Sequence, residues 1–166
     1  MKRRDMLGGL LALALGRALP ASAGQGDATM RVNKSRQEWA ALLSDAAYAV
    51  LFKEATERPG SSPLNDEKRK GTYVCAACFQ PLFSSEAKYE SGTGWPSFFR
   101  PLPDAVGTKT DWKLIVPRTE YHCDRCGGHQ GHVFDDGPPP TGKRYCNNGV
   151  ALRFVPDDEE LPALRG

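Results

Sequence analysis

An excess of charge of either sign is missing from this 166-residue chain, in which 22 Lys and Arg stand against 20 Asp and Glu for a formal net charge of +2. Even that small surplus lies in the first 23 residues, where Lys2, Arg3, Arg4 and Arg17 face Asp5 alone; the remainder carries 18 basic against 19 acidic residues. Binding a phosphate backbone or an anionic membrane surface relies on clustered Lys and Arg, so no nucleic-acid partner is expected. Long apolar runs are missing too. The longest, residues 6–15, has ten residues, well short of the roughly 20 needed to cross a bilayer. No repeat and no low-complexity tract occurs beyond a pair of C-x-x-C motifs, and no His-x-Glu is present for a deaminase-type site in which metal-bound water attacks a substrate. What is there, 40% hydrophobic and 25% charged residues, fits one ordinary globular domain.

The basic N-terminus has a purpose of its own. Lys2 to Arg4 form a positive n-region, residues 6–15 an apolar h-region, and Ala21-Ser22-Ala23 a small-x-small cleavage pattern. Together they read as a removable signal peptide over residues 1–23. Within it Arg3-Arg4-Asp5-Met6-Leu7 resembles the twin-arginine export signal, which carries folded cargo; a plain secretory leader is the alternative. The expectation is an exported, periplasmic protein with no stable membrane insertion after cleavage.

Cysteine is scarce and odd in number: five, at 75, 78, 123, 126 and 146. Four form Cys75-Ala76-Ala77-Cys78 and Cys123-Asp124-Arg125-Cys126, two C-x-x-C pairs with 44 residues between them. Each pair has the knuckle spacing that lets two thiolates ligate one tetrahedral metal. This spacing favours one closed four-cysteine zinc site, Cys75, Cys78, Cys123 and Cys126, over two redox pairs or disulfides. With all four positions filled by thiolate, such a zinc ion is structural.

Residues 24–32 read as a linker, 33–157 as the domain and 158–166 as a tail. Ser35-Arg36-Gln37-Glu38 is a capping box before Trp39, Leu42, Leu43, Ala46, Ala47, Val50 and Leu51, which recur at helical spacing. The pattern predicts one amphipathic helix over 36–56, stopped by Pro59-Gly60. After it come short β-like runs punctuated by Gly and Pro, at 72–74, 113–117, 132–134 and 150–155. The fold class expected is mainly β.

Cys146 remains, in the polar run Arg144-Tyr145-Cys146-Asn147-Asn148. A lone cysteine is most often a small buried hydrophobe, but Arg144 stands where it can stabilise a thiolate, and Asn148 shares the face of an extended strand. His129 and His132 sit in a glycine-rich stretch just after the second knuckle, read as a turn, and the four knuckle cysteines leave them no place on the metal.

Several stretches together carry a resemblance: Thr56-Glu57-Arg58-Pro59, Gly71-Thr72-Tyr73-Val74-Cys75, Ser91-Gly92-Thr93-Gly94-Trp95-Pro96-Ser97-Phe98, His129-Gln130-Gly131-His132-Val133-Phe134-Asp135-Asp136-Gly137-Pro138 and Arg144-Tyr145-Cys146-Asn147-Asn148. In this order they resemble the B-type methionine sulfoxide reductases over about residues 33–157. The resemblance implies two antiparallel sheets clipped by one structural Zn2+ behind the N-terminal helix, and reduction of the R epimer of methionine sulfoxide in proteins. It implies Cys146 as nucleophile, His129, His132 and Asn148 around the sulfoxide oxygen, Arg144 and Asp136 tuning charge, and Trp95 against the substrate methyl. Many members of that family carry a recycling cysteine where this chain has Thr93. The sulfenic acid left on Cys146 is therefore expected to be reduced by an external thiol or thioredoxin-like protein. The partners expected are oxidised proteins and that reductant, with the enzyme a monomer. The competing reading is a non-catalytic zinc-ribbon binding module.

Overall fold

The computed structural model describes residues 32–166; the segment read as a signal peptide and nearly all of that read as a linker lie outside the described residues. No helix among them is long and apolar enough to cross a membrane. The helical segment predicted as one is two: α1 (Arg36–Leu42) and α2 (Asp45–Lys53). The capping box at Ser35 and Glu38 forms as expected, but Ser44 starts a second helix. Leu43 is extended, and the Ser44 hydroxyl accepts the Ala47 N–H at 3.2 Å. A serine that can cap competes with helix continuation, and Asp45 behind it suits the positive helix end. Helix α2 stops at Lys53, because Glu54 takes the left-handed conformation at φ 54°. The two short helices fold on each other through stacked Trp39 and Phe52, with ring centroids 5.4 Å apart.

Two antiparallel sheets follow. The smaller has order β2-β1-β9, from β1 (Gly71–Cys75), β2 (Pro81–Ser84) and β9 (Leu152–Pro156). The larger has order β3-β4-β8-β7-β6-β5, from β3 (Lys88–Tyr89), β4 (Ser97–Phe98), β5 (Val106–Asp111), β6 (Arg118–Cys123), β7 (His129–Phe134) and β8 (Arg144–Asn147). Tyr73, Phe83, Phe98 and Tyr121 are wholly buried. Phe83 stacks on Phe98 at 4.2 Å and Tyr73 meets Phe98 at 4.9 Å, so one aromatic core is shared by both sheets.

Three local expectations change. Residues 113–117 are not a strand but the connection between β5 and β6. The ladder ends at the Asp111↔Arg118 pair, and the Asp111 carboxylate accepts the Lys113 N–H at 2.9 Å, turning the chain away. Residues 150–151 belong to a 3₁₀ turn, Gly149–Ala151, so the final strand starts at Leu152. The histidines lie in β7 itself rather than in a turn. Gly131 permits this close pairing, since a Cβ there would stand 1.9 Å from the Cys146 carbonyl oxygen.

Candidate active site

The two knuckles close first. Cys75 ends β1 and Cys123 ends β6, and each chain doubles back in a tight turn: the Phe79 N–H bonds the Cys75 carbonyl and the Gly127 N–H bonds that of Cys123, both at 2.9 Å. The four sulfurs fall within 4.8 Å of one another, with Cys75 and Cys126 at 3.7 Å and Cys78 and Cys123 at 3.5 Å. Four thiolates around a tetrahedral zinc stand about 3.8 Å apart, from a Zn–S bond of ~2.3 Å. Hydrogen bonding with the Cys123, Cys126 and Cys78 sulfurs, and then burial, push the Cys75 thiol well above its ordinary value, and four thiolates packed this closely would repel one another. A divalent cation removes that conflict, and the cluster fits one. It ties β1 of the small sheet to β6 of the large one.

A buried polar chain runs from this cluster into β8. Gln130 Nε2 donates to the Cys75 sulfur at 3.5 Å, Asn147 Nδ2 to Gln130 Oε1 at 3.3 Å, and the Tyr121 hydroxyl to Asn147 Oδ1 at 2.6 Å. Gln130 and Asn147 are fully buried. The knuckle therefore fixes the strand that carries Cys146.

Cys146 lies opposite His132 in the β7–β8 register, so both side chains leave the same face of the sheet. They line a cavity of about 120 Å³ with Trp95, Phe134, Arg118 and Asn148. Thus four of the predicted residues, Cys146, His132, Asn148 and Trp95, meet around one space. His129 does not line it; it lies beside His132 in the adjoining cleft of about 430 Å³, with ring centroids 5.5 Å apart. Strict alternation would put residues three apart on opposite faces. An extra residue at Gln130, where Tyr121↔Gly131 is followed by His122↔His129, is the bulge that brings both rings to one side.

The histidines are held by carboxylates from β5 and β6. His132 Nε2 is 2.8 Å from Asp111 Oδ2, and His129 Nδ1 is 2.8 Å from Glu120 Oε1. Asp111 is also paired with Arg118 at 2.7 Å, and Glu120 with Lys109 at 2.9 Å. Donation from the Lys113 N–H, from His132 and from Arg118 holds Asp111 well below the usual carboxylate range. An ionised Asp111 can only accept, so His132 carries its proton on Nε2, and Nδ1 is its basic nitrogen. Burial lowers His132 below the ordinary imidazole value, against the opposing pull of Asp111. Burial also takes His129 down to about 4, and its buried Nε2 has no hydrogen-bond partner.

Burial pushes the half-buried Cys146 thiol up, partly offset by the Arg144 guanidinium and the Thr93 hydroxyl, while Asp136 works the other way. Arg144 is gripped by Asp136 in a two-pronged ion pair at 2.8 and 2.9 Å and lies over the Phe134 ring at 4.3 Å. Asn148 is largely committed to the backbone. Its Oδ1 accepts the Glu57 N–H and its Nδ2 donates to the Gln130 carbonyl, each at 3.0 Å, which leaves one amide hydrogen for a ligand.

Glu57, Asp111, Glu120, Arg118 and Phe134 were not singled out from the sequence. Glu57 sits in the Thr56-Glu57-Arg58-Pro59 stretch, which was the available signal. Its carboxylate accepts the Gly149 and Val150 N–H groups at 2.6 and 2.9 Å, and its carbonyl accepts the Trp95 indole at 3.3 Å. Gly94, at φ +89°, packs so closely on Pro59 and Gly60 that a Cβ would stand 2.9 Å from each, which seats Trp95 at the cavity.

Comparison with known proteins agrees with this construction. Residues 43–156 match the SelR domain. The chain is 53% identical over 129 residues to a peptide methionine sulfoxide reductase MsrB of Methanosarcina barkeri, covering 77% of this chain and 91% of the relative. It is 51% identical over 124 residues to the MsrB of Leptospira interrogans, covering 74% and 95%, and 47% identical over 139 residues to that of Leifsonia xyli, covering 82% and 99%. The chain belongs to the MsrB family of peptide methionine sulfoxide reductases.

Proposed function

We propose that the protein reduces the R epimer of methionine sulfoxide in oxidised proteins, with Cys146 as nucleophile. The observation that carries this reading is the juxtaposition of Cys146 and His132 across one β7–β8 register pair, in a small cavity walled by Trp95 and Phe134. A cavity of about 120 Å³ is far below the roughly 300–1,000 Å³ that encloses a whole drug-sized ligand. It suits a single side chain, and its aromatic walls favour a sulfoxide's methyl over a charged group.

The resting pair is a neutral thiol facing a neutral imidazole, since burial raises Cys146 and lowers His132. The chemistry then needs no proton from outside. His132 Nδ1 takes the thiol proton as the Cys146 sulfur attacks the substrate sulfur and passes it to the sulfoxide oxygen; the hydroxyl then moves to the Cys146 sulfur as the substrate S–O bond and the transient S–S bond break. The products are methionine and a sulfenic acid: the cysteine sulfur loses two electrons and the sulfoxide sulfur gains them. His129, with its unpartnered Nε2, and the free amide hydrogen of Asn148 supply further polar contacts to the oxygen, through water. Arg144 and Asp136 set the local field. Cys75, Cys78, Cys123 and Cys126 would hold a zinc ion, which would act as a structural clip.

No second thiol stands beside Cys146. Thr93 contacts it, and the chain's other four cysteines lie together in the candidate metal site. The sulfenic acid is accordingly reduced by an external small thiol or thioredoxin-like dithiol. The leader supports an exported enzyme, folded and loaded with zinc before it meets an oxidising compartment. The test is turnover on the separated epimers of a methionine sulfoxide peptide with dithiothreitol. Methionine is expected from the R epimer alone; equal turnover of both, or none, rejects the reading.

A further inference from the structure

Among the described residues, the most exposed large apolar side chains concentrate in one place. Trp112, Leu114, Ile115 and Val116 are 75%, 56%, 103% and 71% exposed, and all four lie in the connection between β5 and β6. That connection is fastened from below: the Lys113 N–H bonds Asp111, and the Lys113 ammonium pairs with Glu54. Trp112 and Lys113 also line the cleft that holds His129 and His132. This cleft shares Thr56, Arg118 and His132 with the Cys146 cavity. One continuous concave surface therefore leads from Cys146, over His132, to Trp112 and Lys113 at the foot of the apolar tip.

We propose that this tip is the docking surface for the apolar residues flanking methionine sulfoxide in an unfolded polypeptide substrate. The inference rests on the function proposed above and adds the class of polypeptide that the site selects. The cavity has room for a side chain only, so the chain bearing it must lie on the adjoining surface. The charges of that surface are already matched: Glu54 with Lys109 and Lys113, Glu120 with Lys109, and Asp111 with Arg118. With those charges paired, the largest exposed feature beside it is apolar, and an apolar patch beside a site selects an apolar partner. Methionine in proteins is mostly a core residue with apolar neighbours. Oxidation makes it polar and disrupts that core, so a segment that has lost its fold presents the sulfoxide together with its apolar flanks.

The experiment compares the parent with the triple variant Leu114→Ser, Ile115→Ser, Val116→Ser, whose sites are exposed and outside the core. Three substrates are used: a blocked single-residue methionine sulfoxide, a peptide with leucine and valine flanking the sulfoxide, and the same peptide with serine and glycine flanks. The parent should favour the apolar peptide over the polar one. The variant should lose about tenfold in kcat/KM on the apolar peptide, through KM, and be unchanged on the other two; tenfold corresponds to about 1.4 kcal/mol. A parent without preference, an unchanged apolar KM, or an equal loss on all three substrates overturns the docking role while leaving the reductase reading in place. So does a concentration-dependent dimer of the parent in sedimentation that the variant abolishes without change in peptide KM, since the tip would then serve self-association. A parent that reduces none of the three refutes the reductase reading and this inference with it.

Discussion

Replacing Asp111 by Asn removes one negative charge and little volume, and it isolates what that carboxylate does for His132. In the native site the His132 Nε2–H donates to Asp111 Oδ2 at 2.8 Å, and both side chains are largely buried, at 13% and 9% exposure. A buried hydrogen bond to a charged group is worth about 1.5–3 kcal/mol. The neutral imidazole makes this bond too, but the imidazolium gains more from the Asp111 charge, so its loss should lower the His132 titration. The sign follows from Asp111 being the group that favours imidazolium against burial. Loss of its charge also leaves Arg118 unneutralised, which acts in the same direction. An Asn side chain can pair with either tautomer, so the basic nitrogen is no longer held at Nδ1 and kcat should fall more than tenfold, with KM little changed. The assay is an NMR pH titration of the imidazole resonances, assigned by comparison with His132→Gln, alongside the pH dependence of kcat/KM. A His132 midpoint that stays put or rises, with an unaltered acid limb, refutes the reasoning.

Glu57→Ala should destabilise the protein by about 3 kcal/mol, because it strips two backbone N–H groups of a charged acceptor; Glu57→Gln should cost less, and urea denaturation measures both. Acidification should destabilise the fold through His129. Its value of about 4 when folded lies below the ordinary imidazole value of ~6.5, so the unfolded chain binds the extra proton and stability falls as pH drops from 6.5 to 4. The loss should be on the order of 3 kcal/mol and should be smaller in His129→Gln; an equal slope in both proteins contradicts it. Zinc stripped by a chelator, or Cys123→Ser, should unfold the domain, since four-thiolate zinc sites contribute on the order of 10 kcal/mol to small folds; circular dichroism and elemental analysis report both.

Much of this site was legible in the chain because its signals are local. The two knuckles announce themselves by C-x-x-C spacing, and the structure gathers all four sulfurs as that spacing requires. Ser44-Asp45 carried a helix-start signal of its own, but the apolar rhythm running through it suggested one long helix. The short β-like run at residues 113–117 suggested a strand; the ladder ends earlier because Asp111 uses its carboxylate on the Lys113 N–H and on His132. Partners distant in sequence were beyond reach. Asp111 and His132 are 21 residues apart, and Glu57 and Gly149 are 92 apart, so antiparallel pairing, not spacing, brings them together. The inserted residue at Gln130 was equally hidden, although it decides that His129 and His132 share a side.

The central claim is that Cys146 takes the sulfoxide oxygen and keeps it as a sulfenic acid. The most direct measurement is a single turnover of zinc-loaded protein with the R-epimer peptide, without added reductant, followed by dimedone trapping and peptide mass mapping. One methionine should appear per Cys146, the dimedone adduct should sit on that residue, and the Cys146→Ser protein should form neither. Methionine formation by Cys146→Ser, or a disulfide joining Cys146 to Cys75, Cys78, Cys123 or Cys126, would contradict the account.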